Sequence, residues 1–160
     1  MPTFFIPSNP PKSTHQGSAM ILHRKDGSAF VGKSASSKGA AVKANLIDLL
    51  RPCAPETPLS GPVRLILTWT YPWRKTEPKK TRAFGWKYCE TRPDIDNLLK
   101  MVKDVMTLLG YWRDDSQVAD LRFVKGWGNR AGIGVTLEPC GDPTVVADSV
   151  APDEQGELKL

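Results

Sequence analysis

Asp94, Asp96, Lys100 and Asp115 have the residue types and the spacing that phosphodiester chemistry needs. The first three lie in Arg92-Pro93-Asp94-Ile95-Asp96-Asn97-Leu98-Leu99-Lys100, the last in Tyr111-Trp112-Arg113-Asp114-Asp115. A hard cation such as Mg2+ takes oxygen ligands and keeps several waters, so two or three carboxylates suffice to hold it. Such an ion lowers the pKa of an attacking water and stabilises the attacking and leaving oxygens. A nearby lysine can stabilise the extra negative charge of the transition state or orient the scissile phosphate. On this reading Asp94, Asp96 and Asp115 are metal ligands and Lys100 is their electrophilic partner. A plainer account stands beside it. An Asp before an amphipathic helix is commonly just an N-cap. Asp96 and Lys100, four apart, could form an exposed ion pair, and Asp114 and Asp115 could be loop residues.

These side chains need a helix to carry them. Ile95, Leu98, Leu99, Val102, Val105, Met106 and Leu109 recur at helical spacing, which predicts a helix over about 95–109. Asp96, Lys100, Lys103 and Thr107 fall on its other side, and Gly110 is a stop signal. Asp94 and Asp96 then sit near the positive end of the helix dipole, which favours their ionised form. A first helix is predicted over about 36–51, with N-caps offered by Ser34 to Ser37 and a stop at Pro52. Residues 3–6 read as a short strand and 62–70 as a buried one. Runs around Asp26-Gly27 read as a hairpin. Strands are predicted over about 117–125 and 131–137, paired as an antiparallel hairpin through a turn at Gly126, Gly128 and Asn129. Together these give an α+β fold, a small mixed β-sheet with two main helices, over residues 1–138. Residues 139–160 are acidic, lack periodicity and read as a disordered tail.

The net charge of +5 conceals an asymmetry. After Leu137, six acids face only Lys159, a net of −5, so residues 1–137 carry +10. A basic body suits a polyanionic partner, although ordinary solubility also accounts for it. Much of the charge lies in a long predicted loop, 71–92, holding Lys75, Lys79, Lys80, Arg82 and Lys87 among Trp73, Phe84, Trp86 and Tyr88. The cations read as phosphate contacts, and Trp73, Phe84 or Trp86 could stack on an unpaired base or pack on the core. Lys125 and Trp127 are equally open between contact and core. Cys53, Cys89 and Cys140 suggest no disulfide framework or zinc site, and His15 and His23 offer no metal spacing. No apolar run is long enough to span a membrane, and the N-terminus does not read as a secretory signal, so a cytoplasmic protein is expected.

Pro-Asp-Ile-Asp-Asn-Leu-Leu-Lys (93–100), then Asp104, then Gly-Tyr-Trp-Arg-Asp-Asp-Ser-Gln-Val (110–118), resembles the signature region of the RusA family of Holliday junction resolvases. The resemblance covers about residues 92–125. It implies a small homodimeric endodeoxyribonuclease that binds four-way DNA junctions. Such an enzyme makes paired symmetric nicks with magnesium or manganese, in recombination and repair. By that resemblance Asp94, Asp96 and Asp115 match the family's essential carboxylates and Lys100 its essential lysine. Asp104, about 80° around the helix from Asp96, and Asp114 are possible outer-shell groups. The N-terminal hairpin, the basic loop and the acidic tail look like elaborations of compact family members. Other readings are a nuclease for forks and flaps, a binding module without catalysis, and a nucleotide-transferring enzyme. The last lacks a Gly-rich phosphate loop.

Overall fold

In Val63–Pro72, strand β4, Val63, Leu65, Leu67, Trp69 and Tyr71 are buried and alternate with more accessible Arg64, Ile66 and Thr68. Such alternation demands one covered face and one open face. The computed structural model, which describes residues 3–13, 19–33 and 37–141, places β4 at the centre of a five-stranded sheet. The other strands are β1 (Thr3–Pro7), β5 (Trp86–Tyr88), β6 (Val118–Gly128) and β7 (Gly132–Pro139), in the order β1-β7-β4-β6-β5. β2 (Ala19–His23) and β3 (Ala29–Lys33) form the separate hairpin expected around Asp26-Gly27. α1 (Ser37–Leu50) and α3 (Ile95–Leu108) are the two main helices, and α2 (Lys79–Arg82) is a single turn. The mixed α+β architecture is therefore as expected.

Two expectations need correction. β6 and β7 do not pair with each other: β4 lies between them, parallel to β6 and antiparallel to β7. Two short apolar runs joined by a glycine turn suggest a hairpin locally, but β4 is the more apolar partner for both. Gly126 and Gly128 belong to β6 rather than to a turn, because Trp86 of β5 lies across them where a side chain would stand. The segment 71–92 is likewise not one loop, since it contains the end of β4, α2 and β5. The expected N-caps at 34–36 and the tail from 142 onward lie outside the described residues.

The parallel pairing of β4 with β6 requires a crossover, and α3 provides it. Leu98, Met101, Val102, Val105 and Met106 of α3 are buried against the sheet, each contributing about 1.5–3 kcal/mol by burial. Leu46 and Leu50 of α1 join the same core. The opposite face of the sheet is more open, and there Arg64 pairs with Asp120 and Glu138 across three strands.

β1 reaches β7 closely at Gly132, where an added Cβ would run into the Ile6 carbonyl and the Phe5 ring. Gly132→Ala should unseat β1 and cost about 1–3 kcal/mol, read as a lower urea midpoint. An unchanged midpoint would show that the edge gives way freely.

Candidate active site

The chain enters α3 through Thr91-Arg92-Pro93, with Pro93 buried and the Arg92–Pro93 peptide cis. Asp94 is the N-cap, at φ −72° and ψ 152°, and its carbonyl accepts the first helical bond from Leu98 N at 3.1 Å. Its carboxylate makes no capping hydrogen bond. The plain N-cap account therefore does not describe this side chain. Asp96 follows in the first turn, and Lys100 stands one turn further on the same face. Among the described residues, Asp94, Asp96 and Lys100 are engaged in no ion pair or side-chain hydrogen bond. All three are exposed.

Asp115 is held by different machinery. Gly110, at φ 77°, ends α3 and turns the chain into two buried aromatics. The Tyr111 hydroxyl donates to the Leu50 carbonyl at 2.8 Å, and burial raises its pKa well above the ordinary value. Trp112 Nε1 donates to Thr107 Oγ1 at 2.7 Å. Gln117 then gathers the loop. Its Nε2 donates to the carbonyls of Leu59 and Gly61, and its Oε1 accepts from the Arg113 and Asp114 amides. Asp114 caps the following 3-10 turn through Ser116 N at 2.8 Å, and its hydrogen bonds to Ser116 hold its carboxyl below the usual carboxylate range. It is thus a structural cap. Asp115 faces the Lys103 ammonium at 3.3 Å. Asp104 lines an open cleft with Lys43, Thr107, Asp114 and Asp115.

The expected convergence of three aspartates is not found within one copy. Among the described residues, no three acid, histidine or cysteine side chains gather into a metal-holding group. The reason is topological. Asp94 starts α3, whereas Asp115 comes after its end. Nine residues, ~13 Å of axial rise, separate Asp94 from Lys103. The strand gives the same answer. The Thr91-to-Pro93 segment rests on Lys125, and Val118, just after Asp115, stands seven strand residues from Lys125, or ~23 Å. Asp94 and Asp96 remain as a pair of free, exposed carboxylates. That donor set suits a hard divalent cation, which commonly takes one or two carboxylates and fills its shell with water and phosphate.

A family model described as endodeoxyribonuclease RusA matches residues 9–138 of this chain. The chain belongs to the RusA family. Similar curated proteins include the crossover junction endodeoxyribonuclease of Lactococcus phage r1t, 38% identical over 47% of this chain and 54% of that protein. The crossover junction endodeoxyribonuclease RusA of Escherichia coli K12 is 30% identical over 56% of this chain and 62% of its own length. An uncharacterized protein of Bacillus subtilis strain 168, YqaN, is 36% identical over 52% and 61%. The aligned stretches thus span just over half the length of these relatives.

In this RusA family chain the basic segment divides into two sets. Lys75, Lys79 and Lys80 are exposed. Arg82 and Lys87 differ from the expectation of phosphate contact. The Arg82 guanidinium donates to the carbonyls of Arg74 and Lys75, and Lys87 pairs with the nearly buried Glu77 carboxylate. Both fold the segment back on itself. Of the aromatics, Trp73 Nε1 donates to Asn129 at 2.6 Å and Trp86 covers Gly126, so both are packed. Phe84 and Tyr88 are the exposed rings, each 77% accessible. Sequence reasoning assigned no role to Lys103, although it stands seven residues, two helical turns, beyond Asp96.

Gln117→Ala removes four loop hydrogen bonds at once. It should cost about 1–3 kcal/mol in urea denaturation, since each bond is worth a net ~0.5–1.5 kcal/mol and water recovers part of the loss. No loss would mean that Tyr111 and Trp112 alone fix the turn.

Proposed function

We propose that this chain is a divalent-metal-dependent endodeoxyribonuclease that nicks four-way DNA junctions, working as a homodimer in the cytoplasm. The observation that carries the reading is Asp94, an N-cap aspartate excused from capping, beside Asp96 and Lys100 in a RusA family chain. Relatives in a phage and in Escherichia coli bear the name crossover junction endodeoxyribonuclease. No helix among the described residues is long and apolar enough to cross a membrane.

Asp94 and Asp96 would hold a magnesium or manganese ion. When bound, that ion supplies a water acidic enough to attack phosphorus and neutralises charge on the phosphate oxygens. Lys100, one turn along, faces the phosphate and stabilises the negative charge that accumulates during in-line attack. The third acid of the signature, Asp115, follows the far end of α3 and does not serve the same copy's pair. Asp115 of a second copy, released from Lys103, completes the site. A two-fold dimer would make two such sites, matching the two equivalent strands of a junction. Lys75, Lys79 and Lys80 contact phosphates, and Phe84 is available to an unpaired base at the branch point.

Asp94→Asn and Asp96→Asn should each abolish nicking of a synthetic four-way junction in magnesium while leaving junction binding intact. Lys100→Ala should slow cleavage about 100-fold with little change in affinity. Full activity in either Asn variant overturns the assignment. Binding by the native chain without cleavage in any divalent metal would indicate a binding module instead. Equal nicking of forks and flaps would indicate a broader structure-specific nuclease.

The exposed lysines give a separate expectation. Replacing Lys79 and Lys80 with Ala should lower the slope of log affinity against log salt by about 2, one ion released per contact. An unchanged slope removes this segment from the DNA path.

A further inference from the structure

Lys125 is a lysine where the core would ordinarily take an apolar residue. It lies on the covered face of β6, in register with Trp69, and is only 6% accessible. Lysine is almost never buried so fully without a partner. Its ammonium donates to the carbonyls of Thr91 and Pro93, both at 2.7 Å. Its own carbonyl accepts from the Cys89 amide at 2.9 Å. One residue thus grips the segment 89–93 at three points. A methionine would fill the same space without the cost of dehydrating an ammonium. The lysine is therefore poorly explained by stability alone.

What the grip controls is Asp94. The Pro93 carbonyl belongs to the peptide plane that ends at the Asp94 nitrogen, so holding that oxygen fixes where Asp94 begins. The Asp94 carbonyl in turn takes the first helical bond of α3. Asp94 has no capping bond of its own to steady it. We infer that Lys125 is a positioning residue, which sets the Asp94 carboxylate for cation binding through the Pro93–Asp94 peptide without touching substrate or metal. This rests on the reading of Asp94 and Asp96 as cation ligands.

Two roles for a buried lysine beside a cation site differ in sign. If Lys125 acted only through its charge, removing it would relieve repulsion and tighten cation binding. If it positions Asp94, removing it weakens cation binding. Supporting groups of this kind typically change metal affinity or activity by 10–100-fold.

The test uses Lys125→Met in the full chain, with Mn2+ binding followed by electron paramagnetic resonance in the absence of DNA. We expect Mn2+ affinity to fall about tenfold. Single-turnover junction cleavage should fall about 100-fold, because small misplacement near the reacting atoms is costly. Junction affinity in Ca2+ should stay within about twofold, since Lys125 makes no DNA contact. Unchanged or tighter Mn2+ binding overturns the inference. A native chain that shows no Mn2+ binding, or binding unaffected by Asp94→Asn, sinks the underlying metal site instead. The native protein offers a check that survives a misfolded variant. Lys125 15Nζ should give a slowly exchanging signal coupled to the Thr91 and Pro93 carbonyl carbons. Fast solvent exchange at that ammonium also overturns the inference.

Discussion

The apolar stripe of α3, pressed on the sheet through Leu98, Met101, Val102, Val105 and Met106, fixes the roll of that helix about its axis. Successive residues stand ~100° apart around the axis, so a roll of that size would turn part of this stripe out of the core. The same roll dictates where Asp96, Lys100, Lys103 and Asp104 point. Core packing and site geometry are thus one constraint. The helix start is set separately, by Lys125 reaching from β6 to the carbonyls ahead of Asp94.

The sheet order explains why the acids divide into two groups. Because β4 pairs parallel with β6, the chain must travel the length of α3 between the Asp94 end and the Asp115 end. Each end has its own fixture. Lys125 serves the first, and Gln117 with the Asp114 cap serves the second. Lys103 holds Asp115 in the single copy at 3.3 Å. Its side chain is partly exposed and that of Asp115 is about half exposed, so water competes with the pair and its net worth is small. A carboxylate held so lightly can be handed to another cation.

Sequence periodicity was most informative where the physics is local. The α3 stripe, the Gly110 stop and the β2–β3 hairpin all follow from neighbours a few residues apart, and all are present. Pairing of β4 with both β6 and β7 depends on contacts 55 to 76 residues apart along the chain, which no local pattern encodes. β5, at three residues, is too short to show alternation. At the site, residue types pointed to Asp94, Asp96, Lys100 and Asp115, but spacing along a chain cannot report that a 14-residue helix holds two of them away from the third. Arg82 and Lys87 were illegible for a related reason. A basic residue in a polar stretch reads as a surface charge, and only the folded chain reveals carbonyls or a nearly buried Glu77 waiting for it.

We propose that Asp94 and Asp96 of one copy act with Asp115 of another. Mixing subunits tests it most directly. Asp94→Asn and Asp115→Asn proteins, each inactive alone, would be unfolded together, refolded in equal amounts and assayed on a four-way junction in magnesium. If the site is shared, half of the dimers are mixed and each carries one intact site. Nicking should then return to about a quarter of the native level, as single rather than paired nicks. No recovery, with mixed dimers demonstrably formed, would place all three carboxylates in one copy and contradict the account.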